Sequence, residues 1–368
     1  MFAESIELKN FRNYESLSLK LNPGTNILYG DNAQGKTNIL EAVYLCGTTK
    51  SHRGARDREM IRFGEEESHI RMSVRRQDIP YRIDMHLKKS RAKGIAINEM
   101  PIKKASELFG IMNFVCFSPE DLNIVKNGPA ERRRFLNLEL CQISRVYMDE
   151  LANYTKALDQ RNRLLKDAFF HPDYLDMLDV WDEQLLSYGR KLIRERRQFL
   201  LYLNELLAEI HNGLTHGDEK ITLIYEPDVH EEEFEKRLRE NRDRDIHSKT
   251  TSAGPHRDDF NIQANGIDMR KFGSQGQQRT AALSMKLSEI QIVKRAADDT
   301  PVLLLDDVLS ELDSSRQNYL LQSISDVQTL ITCTGLDEFV EHKFAMDQVY
   351  RVSCGHIEEA APQRIIGG

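Results

Sequence analysis

Apolar and polar residues alternate along parts of the first third of the chain. Apolar positions recur at every second residue in 17–21 and again in 81–87, and residues 26–29 form a short, mainly apolar run. Successive side chains of a strand point to opposite faces of the sheet. The pattern therefore predicts a half-buried β-sheet near the N-terminus.

From Pro129 onwards the apolar positions follow spacings of three and four residues. One such stripe runs from 136 to 158 and a second from 181 to 210, with the helix-breaking sequence HPD at 171–173 between them. This spacing places the apolar side chains on one face of a helix. It predicts two long helices that form an antiparallel pair.

Strand-like segments return after the two predicted helices. Residues 260–263 and 301–305 are rich in apolar side chains, and Asn265-Gly266 is typical of a hairpin turn. The chain is therefore predicted to be an α/β protein that is interrupted by a mostly helical insertion.

Composition and charge narrow the class of protein. The 368-residue chain carries 51 Lys and Arg against 58 Asp and Glu, which gives a formal net charge of −7. No run approaches the roughly 18 consecutive apolar residues that a membrane-spanning helix needs, so a membrane protein is not expected. Charges occupy the N-terminal positions that would be apolar in a signal peptide, and the five cysteines are scattered, so we expect a cytoplasmic protein.

Two basic clusters are candidates for contact with nucleic acid. The overall negative charge argues weakly against such a role, but phosphates are neutralised by the local density of Lys and Arg. The alternative is that each cluster is a solvated face of a helix or loop. The candidate DNA-binding residues are Arg53, Arg56, Arg58, Arg132, Arg133 and Arg134.

The strongest chemical motif is the phosphate loop, residues 30–37, which precedes a predicted helix at 38–46 and fits G-x-x-x-x-G-K-[ST]. Its glycines let backbone N–H groups surround the phosphates of a nucleotide. We expect Lys36 to reach the β and γ phosphates of ATP, and the Thr37 hydroxyl to bind Mg²⁺. The expected nucleotide contacts are Gly30, Asp31, Asn32, Ala33, Gln34, Gly35, Lys36, Thr37 and Asn38.

Two adjacent acids, Asp306 and Asp307, end the apolar run 301–305. Beside a phosphate loop this is typical of a Walker B strand, in which Asp306 holds Mg²⁺ through a water molecule and Asp307 orients or deprotonates the attacking water. Neighbouring carboxylates repel each other unless a cation lies nearby, which favours the metal interpretation. The predicted catalytic residues are therefore Lys36, Asp306 and Asp307.

A third motif is the signature loop, residues 273–279 (GSQGQQR), which precedes a predicted helix at 280–295. Taken alone, its Ser and Gly would be an ordinary helix cap. Its position between the phosphate loop and the two acids resembles the signature loop of ATP-binding cassette ATPases. The following SELD at 310–313 resembles the loop through which such ATPases signal across their dimer, with Asp313 as its acid.

Five segments together resemble the RecF family, which is related to the heads of SMC and Rad50 proteins. The segments are 8–14 (LKNFRNY), 30–42 (GDNAQGKTNILEA), 251–259 (TSAGPHRDD), 274–279 (SQGQQR) and 303–313 (LLLDDVLSELD). The resemblance covers nearly the whole chain.

The resemblance implies an α/β, SMC/Rad50 head-like ATP-binding cassette P-loop ATPase with a mainly helical second lobe. Too few residues separate the phosphate loop from the signature loop for a long coiled coil. We expect residues 1–117 and 247–368 to form the ATPase lobe and residues 118–246 to form the helical lobe.

Further site residues follow from the resemblance. Arg12 and Asn13 would lie near the nucleotide, although a surface charge at a strand end is the alternative for Arg12. The signature loop would face the γ-phosphate of an ATP bound to a second molecule. Its expected contacts are Ser274, Gln275, Gly276 and Gln277.

The function implied by the resemblance is ATP-dependent DNA binding in replication, recombinational repair and the SOS response. An ATP-induced head-to-tail homodimer would bind single-stranded and double-stranded DNA at gapped junctions and help to load a recombinase, with weak, DNA-dependent ATP hydrolysis. ATP and Mg²⁺ are the implied cofactors, and RecR, RecO and RecA the implied protein partners. The alternatives are an ATP-latched scaffold for protein partners and a small-molecule P-loop kinase, which would leave the signature loop unexplained.

Two positions depart from the cassette pattern. Transporters of this class carry a switch-loop His where this chain has Thr332 and Thr334. No obvious glutamine loop lies between the phosphate loop and the helical lobe, although residues 117–121 (FSPED) lie where the sheet leads into that lobe. The sensors of the γ-phosphate and of magnesium are therefore left open.

The acids and His of residues 254–259 (GPHRDD) have two interpretations. His256, Asp258 and Asp259 could be ligands of a metal ion, but one His with two nearby acids is more often a capped turn.

Overall fold

The computed structural model describes residues 1–168, 170–337, 339 and 344–360. These residues divide into two compact units, the first made of 1–121 with 286–368 and the second of 122–285. The strands are β1 (Phe2–Phe11), β2 (Tyr14–Lys20), β3 (Thr25–Tyr29), β4 (Glu67–Arg76), β5 (Ile79–Lys88), β6 (Gly94–Ile97), β7 (Met100–Pro101), β8 (Phe114–Phe117), β9 (Ile221–Glu226), β10 (Asp259–Ala264), β11 (Ile267–Asp268), β12 (Val302–Asp306), β13 (Thr329–Cys333), β14 (Gln348–Ser353) and β15 (His356–Ala360). The α-helices are α1 (Lys36–Thr48), α2 (Asp57–Met60), α3 (Leu122–Lys126), α4 (Pro129–Ile143), α5 (Arg145–Asp167), α6 (Leu178–Thr215), α7 (Phe234–Glu240), α8 (Arg242–Ser248), α9 (Met269–Phe272), α10 (Gln275–Ala297) and α11 (Ser314–Ser323).

A mixed six-stranded sheet forms the centre of the first unit, in the order β15-β14-β3-β13-β12-β8. All its pairings are parallel except that of β14 with β15. Every residue of β8, β12 and β13 is buried, which explains why these strands are near-continuous apolar runs without alternation. Ligands of such sheets bind at the carboxyl ends of the parallel strands, so the acids that end β12 are well placed for chemistry.

A second six-stranded sheet of the first unit is antiparallel, in the order β2-β1-β4-β5-β6-β7. Its strands alternate, because one face is buried and the other is exposed: in β4 every second residue from 68 to 74 is buried. The alternating segments at 17–21 and 81–87 lie in or next to β2 and β5, as the sequence predicts.

The second unit contains the predicted pair of long helices, α5 and α6. Tyr147 contacts Arg196 and Arg161 contacts Asp182, so residues further along α5 meet residues earlier in α6, and the pair is antiparallel. The single helix predicted from 136 to 158 is instead two helices. The break lies at Ser144, which has an extended backbone and whose hydroxyl caps α5 by accepting a hydrogen bond from the Tyr147 N–H.

The second unit extends further along the chain than the predicted helical lobe. The expected return to the ATPase lobe at residue 247 differs from the structure, in which residues up to 285 belong to the second unit. The physical reason is the pairing of β10 with β9 along six residues, which ties the segment after α8 into a three-stranded sheet of this unit.

Among the residues that the structure describes, no helix is both long and apolar enough to cross a membrane.

Candidate nucleotide site

The phosphate loop connects β3 to α1 and lies at the carboxyl end of the central sheet. The next two strands in the order of the sheet, β13 and β12, end at Cys333 and Asp306. The loop and these strand ends lie within the first unit, where the loop, Arg53 and Asp307 line a cleft of about 220 Å³. Seven of the nine predicted loop contacts, residues 32–38, therefore line one cavity, whereas Gly30 and Asp31 do not line it.

Two glycines of the phosphate loop have no tolerable replacement. Gly35 has a φ of 113°, and a Cβ atom there would lie 2.5 Å from the Asn13 Nδ2 atom. Gly30 has a φ of 150°, and its Cβ would lie 2.3 Å from the Val352 carbonyl oxygen. Both residues allow the backbone to approach its neighbours closely, which the motif requires for a loop that surrounds phosphates.

Lys36 and Thr37 open α1 with their side chains on the cleft. The Lys36 ammonium donates hydrogen bonds to the carbonyl oxygens of Gly30 at 2.5 Å and Asp31 at 2.9 Å, and the residue is only 3% exposed. The positive end of α1 adds to this charge. The cleft therefore has the electrostatics of a phosphate site.

Asp306 receives two hydroxyl groups on one carboxylate oxygen. Thr37 Oγ1 donates to Asp306 Oδ1 at 2.7 Å, and Thr332 Oγ1 donates to the same oxygen at 2.8 Å. Burial alone would raise the pKa of Asp306, but the nearby His52 and the two hydroxyl groups lower it below its usual range. These contacts therefore favour the ionised form of Asp306.

Asp307 differs from its neighbour in the direction of its pKa shift and in its backbone. Its pKa is raised by burial, and the Asp306 carboxylate raises it further while the Lys36 ammonium opposes the rise. Its φ of 52° lies in the left-handed region, which few residues other than glycine adopt without strain. Such backbone strain is found most often at functional sites.

Thr332 links the two acids. Its hydroxyl oxygen accepts a hydrogen bond from the Asp307 backbone N–H at 3.0 Å, while its proton goes to Asp306. Thr332, one of the two threonines found where the cassette pattern has a switch-loop His, therefore contacts both acids. Thr334 lines the neighbouring cavity with Asp307 and Ser310.

Of the two nucleotide residues predicted from the resemblance, Asn13 contacts the phosphate loop, whereas Arg12 contacts α1 and the end of α2. The Arg12 guanidinium pairs with both carboxylate oxygens of Glu41, at 2.7 and 2.8 Å, and with the Glu59 carbonyl. Asn13 donates to the Gln34 carbonyl at 3.0 Å and accepts from the Asn38 side chain at 2.8 Å. The alternative interpretation of Arg12, a surface charge at a strand end, does not account for this ion pair.

Sequence reasoning missed three features of the site. His52 lies with its Nε2 atom 3.7 Å from Asp306 Oδ2, and its side chain is 5% exposed. Glu41 is fully buried in α1. The turn between β14 and β15 holds Gln34, because the Cys354 N–H donates to Gln34 Oε1 at 2.6 Å. For Glu41, the available signal was an acid among the apolar residues of the helix that follows the phosphate loop. His52 and the turn had no signal in the sequence.

The signature loop lies at the start of α10, in the second unit. Ser274 and Gln277 cap each other: the Gln277 N–H donates to Ser274 Oγ at 3.2 Å, and the Ser274 N–H donates to Gln277 Oε1 at 2.9 Å. Ser274, Gln275 and Gly276 are exposed. Both the helix cap and an exposed helix N-terminus are therefore present in one segment.

Asp313 begins α11 in the first unit. Its carboxylate accepts a hydrogen bond from the Arg316 N–H at 3.0 Å and forms an ion pair with the Arg316 side chain. The side chain predicted to signal across a dimer is therefore the N-cap of this helix.

The structure separates the candidate DNA-binding arginines into groups. Arg132 is 4% exposed and forms a two-point ion pair with Asp259, which removes it from any surface and contradicts its prediction as a DNA contact. Arg133 is half-buried and donates to the Asp258 carbonyl. Arg53 lines the nucleotide cleft. The remaining candidates, all with exposed side chains, are Arg56, Arg58 and Arg134.

The GPHRDD segment is a structural element of the second unit. The His256 ring nitrogens contact the Tyr154 hydroxyl at 2.7 Å and the Thr251 carbonyl at 3.1 Å. Asp258 is fully buried and pairs with Arg196 at 2.8 Å. These contacts occupy the atoms that a metal ion would need, and among the described residues this segment forms no metal-ligand cluster. The capped-turn interpretation therefore accounts for it.

Comparison with known proteins agrees with this geometry. The family model described as RecF/RecN/SMC N terminal domain matches residues 2–358. A protein of Agathobacter rectalis called DNA replication and repair protein RecF is 62% identical over 97% of this chain and 99% of its own length. One of the same name from Clostridium acetobutylicum is 46% identical over 98% of this chain and 100% of its own.

Solved structures give the same result. A structure described as the recombination mediator protein RecF with ATP, in the RecFOR pathway, has a TM-score of 0.90 at 35% identity and covers 98% of each chain. An Smc head domain from Pyrococcus furiosus has a TM-score of 0.58 at 16% identity, which shows a shared fold alone. The predicted fold class and resemblance are thereby confirmed, and the chain belongs to the RecF family of DNA replication and repair proteins, within the RecF/RecN/SMC group of head-like ATPases.

Proposed function

We propose that the chain is a weak, DNA-dependent ATPase that closes into a head-to-tail homodimer around ATP and then binds DNA at gaps or single/double-strand junctions. Hydrolysis opens the dimer and releases the DNA. The observation that carries this proposal is the pair of acids joined by Thr332: Asp306 accepts a hydrogen bond from Thr37, and Asp307 lines one cleft with the phosphate loop. Such an arrangement serves hydrolysis as well as binding.

Mg²⁺ fits the oxygen atoms at this cleft. Thr37 Oγ1 and Asp306 Oδ1 lie 2.7 Å apart. Mg²⁺ prefers oxygen ligands such as these and commonly keeps several of its waters, through which a carboxylate can hold it. Thr37 and Asp306 would hold the ion, which when bound neutralises charge on the β and γ phosphates. The lowered pKa of Asp306 keeps it in the charged form that the ion needs.

Asp307 is suited to the water that attacks the γ-phosphate. Its raised pKa makes it a better proton acceptor than its neighbour, because a stronger base accepts a proton more readily. The hydrogen bond from its N–H to Thr332 fixes the residue relative to Asp306. Asp307 therefore orients and deprotonates the water while Asp306 stays with the metal ion.

The signature loop completes the site of a second molecule in this proposal. Residues 274–276 are exposed at the start of the 23-residue α10, and a helix N-terminus attracts phosphate. A Cβ atom at Gly276 would meet only Ser274 Oγ, at 4.0 Å. A phosphate could therefore approach this backbone closely, and one ATP would join two chains.

The closed dimer would act on DNA with other repair proteins. The relatives bear the name of a DNA replication and repair protein, and the similar ATP-bound structure is described as part of the RecFOR pathway. We propose RecR as the direct partner, with RecO and RecA in the same process, and a role in helping to load the recombinase. DNA binding would be salt-sensitive and largely independent of sequence, through backbone phosphates.

The decisive experiment measures ATP-dependent binding to gapped duplex DNA by native protein, Lys36→Arg and Ser274→Arg. ATP should promote binding only in the native protein, since one variant loses the phosphate contact and the other blocks the approach of the second chain. Ser248→Arg, at an exposed serine of the same unit, is the matched control and should behave like native protein. Native-like binding by Ser274→Arg would refute the role of the signature loop.

Sedimentation equilibrium tests the dimer separately from DNA. Native protein should change from monomer to dimer on addition of ATP, and Ser274→Arg should stay monomeric while still binding ATP. An association state that does not depend on ATP would refute the closure. Dimerisation without any DNA binding would favour the scaffold alternative.

Replacement of arginines tests the DNA surface. Arg56→Ala with Arg58→Ala, or Arg134→Ala, should weaken DNA binding without changing ATP binding, because these side chains are exposed. Unchanged DNA affinity would remove them from the surface.

A further inference from the structure

Three potential metal ligands share the exposed face of the antiparallel sheet. Glu67 and His69 are two residues apart on β4, so both side chains point to the same face. His86 on β5 stands directly opposite His69 in the strand pairing. We call Glu67, His69 and His86 the sheet-face cluster. It lies within the first unit and contains no residue of the nucleotide cleft.

The ligand atoms of the sheet-face cluster are close enough to share one ion. His86 Nε2 lies 3.0 Å from Glu67 Oε2, and His69 Nε2 lies 3.6 Å from Glu67 Oε1. One ligand atom from each residue lies within 4.8 Å of both others. Tetrahedral Zn²⁺ with bonds of about 2.0–2.1 Å holds its ligand atoms about 3.3 Å apart, so small side-chain rotations suffice.

The two imidazoles of the cluster lie face to face. Their rings are stacked, with centroids 3.8 Å apart and planes at 26°. Metal ions bind imidazole in its neutral form and carboxylate in its charged form, so an ion here would replace the hydrogen bond between His86 and Glu67.

We propose that Glu67, His69 and His86 form a binding site for a divalent transition-metal ion of the Zn²⁺ type. Two imidazoles with one carboxylate suit Zn²⁺, and this set leaves a fourth position open to water or to another ligand. Mg²⁺ and Ca²⁺ prefer oxygen ligands and bind elsewhere. The site is independent of the ATP-dependent function proposed above.

Lys88 is the internal competitor of the metal ion. Its ammonium lies 3.2 Å from Glu67 Oε2, the same oxygen that contacts His86. A bound cation at that oxygen must displace this ammonium or lie beside it, and like charges repel. Removal of the Lys88 charge should therefore strengthen binding of the metal ion.

The test measures Zn²⁺ binding to the full chain by competition with a chromophoric chelator, in excess Mg²⁺ so that the nucleotide site is occupied. Native protein should bind one Zn²⁺ at this site. His69→Ala and His86→Ala should each weaken binding at least about tenfold, the smallest loss seen when even an outer partner of a metal ligand is removed. Lys88→Gln should bind more tightly than native protein.

Glu67→Gln should also weaken Zn²⁺ binding, and Glu66→Gln is its matched control. Glu66 is a neighbouring exposed acid that pairs with Lys89 and is not part of the cluster, so its loss should leave Zn²⁺ affinity unchanged. Zn²⁺ binding that is absent in native protein, or equal in native protein and His86→Ala, would overturn the proposal. Thermal midpoints should be similar for all variants, because these side chains are at least partly exposed.

Co²⁺ in place of Zn²⁺ distinguishes this site from the exposed thiol of Cys354. Binding at the sheet-face cluster should give the d–d absorption of a nitrogen- and oxygen-ligated ion without sulfur charge-transfer bands. Sulfur bands that persist in His86→Ala would show that the thiol holds the ion and would overturn the assignment.

Discussion

Replacement of Asp258 by Asn should destabilise the second unit strongly. Asp258 is fully buried, and its carboxylate receives hydrogen bonds from Arg196 at 2.8 Å, the Tyr225 hydroxyl at 2.5 Å and the Asp228 N–H at 3.0 Å. Arg196 is itself only 2% exposed. The neutral amide keeps the shape of the side chain but leaves the guanidinium charge of Arg196 without its partner in the interior.

The loss should be about 3–5 kcal/mol, the usual effect of removing one partner of a buried ion pair. That is a large fraction of the roughly 5–15 kcal/mol by which a domain is stable. A unit of this size loses about 2–4 °C in thermal midpoint for each kcal/mol, so the midpoint should fall by about 6–20 °C. Calorimetry or circular dichroism at neutral pH measures it.

Asp179→Asn is the matched control, since it removes a carboxylate from a pair with Arg242 in the same unit. The Asp179 side chain is 73% exposed, so its loss should cost no more than about 1 kcal/mol. On the same scale, a fall in midpoint of about 2 °C is a loss of about 1 kcal/mol or less. A midpoint for Asp258→Asn within that range of native protein would refute the reasoning. A chelator should leave the midpoint of His86→Ala unchanged, whereas a fall in that variant would favour metal ligation by GPHRDD.

Three further outcomes are expected. Burial holds the pKa of His256 below its ordinary value, so below about pH 6.5 the unfolded state takes up a proton that the folded state does not, and stability falls. The thermal midpoint of His256→Gln should therefore fall less steeply than that of native protein from about pH 7 to pH 5.5. An unchanged slope would contradict this. Arg12→Ala should lower stability by about 3 kcal/mol because Glu41 loses its partner; adding Glu41→Gln should recover most of this loss in thermal unfolding, and no recovery would argue against the pair. Asp307→Asn should keep ATP binding but lower turnover at least about 100-fold, as loss of a general base does, and near-native turnover in a phosphate-release assay would exclude that role.

The motifs of the nucleotide site were readable because each depends on local geometry. A phosphate loop needs its glycines, its Lys and its Thr at set spacing between one strand and one helix, and the strand before Asp306 must be apolar along its length to be buried on both faces. The strands β3 and β12 and the helix α1 therefore lie where the pattern predicts them. The same holds for α6, whose apolar stripe is long and regular.

Elements that depend on a partner distant in sequence could not be read this way. The helical stripe from 136 to 158 continues across Ser144, because periodicity does not register a single extended residue between two helices. The role of Arg132 was misjudged for a related reason: three adjacent arginines look alike in sequence, but only the fold brings Asp259 to the first of them. Nothing local marked His52 as a neighbour of Asp306.

The sequence by itself determined the class of fold, the family and the candidate residues of the nucleotide site, since these follow from periodicity and from motifs of fixed spacing. Only the tertiary structure decided which charged side chains are interior ion pairs, how Thr332 joins the two acids, and that Glu67, His69 and His86 share one face of a sheet. The physical reason is that hydrogen bonds and ion pairs act over a few ångströms between residues that strand pairing and burial bring together from distant parts of the chain.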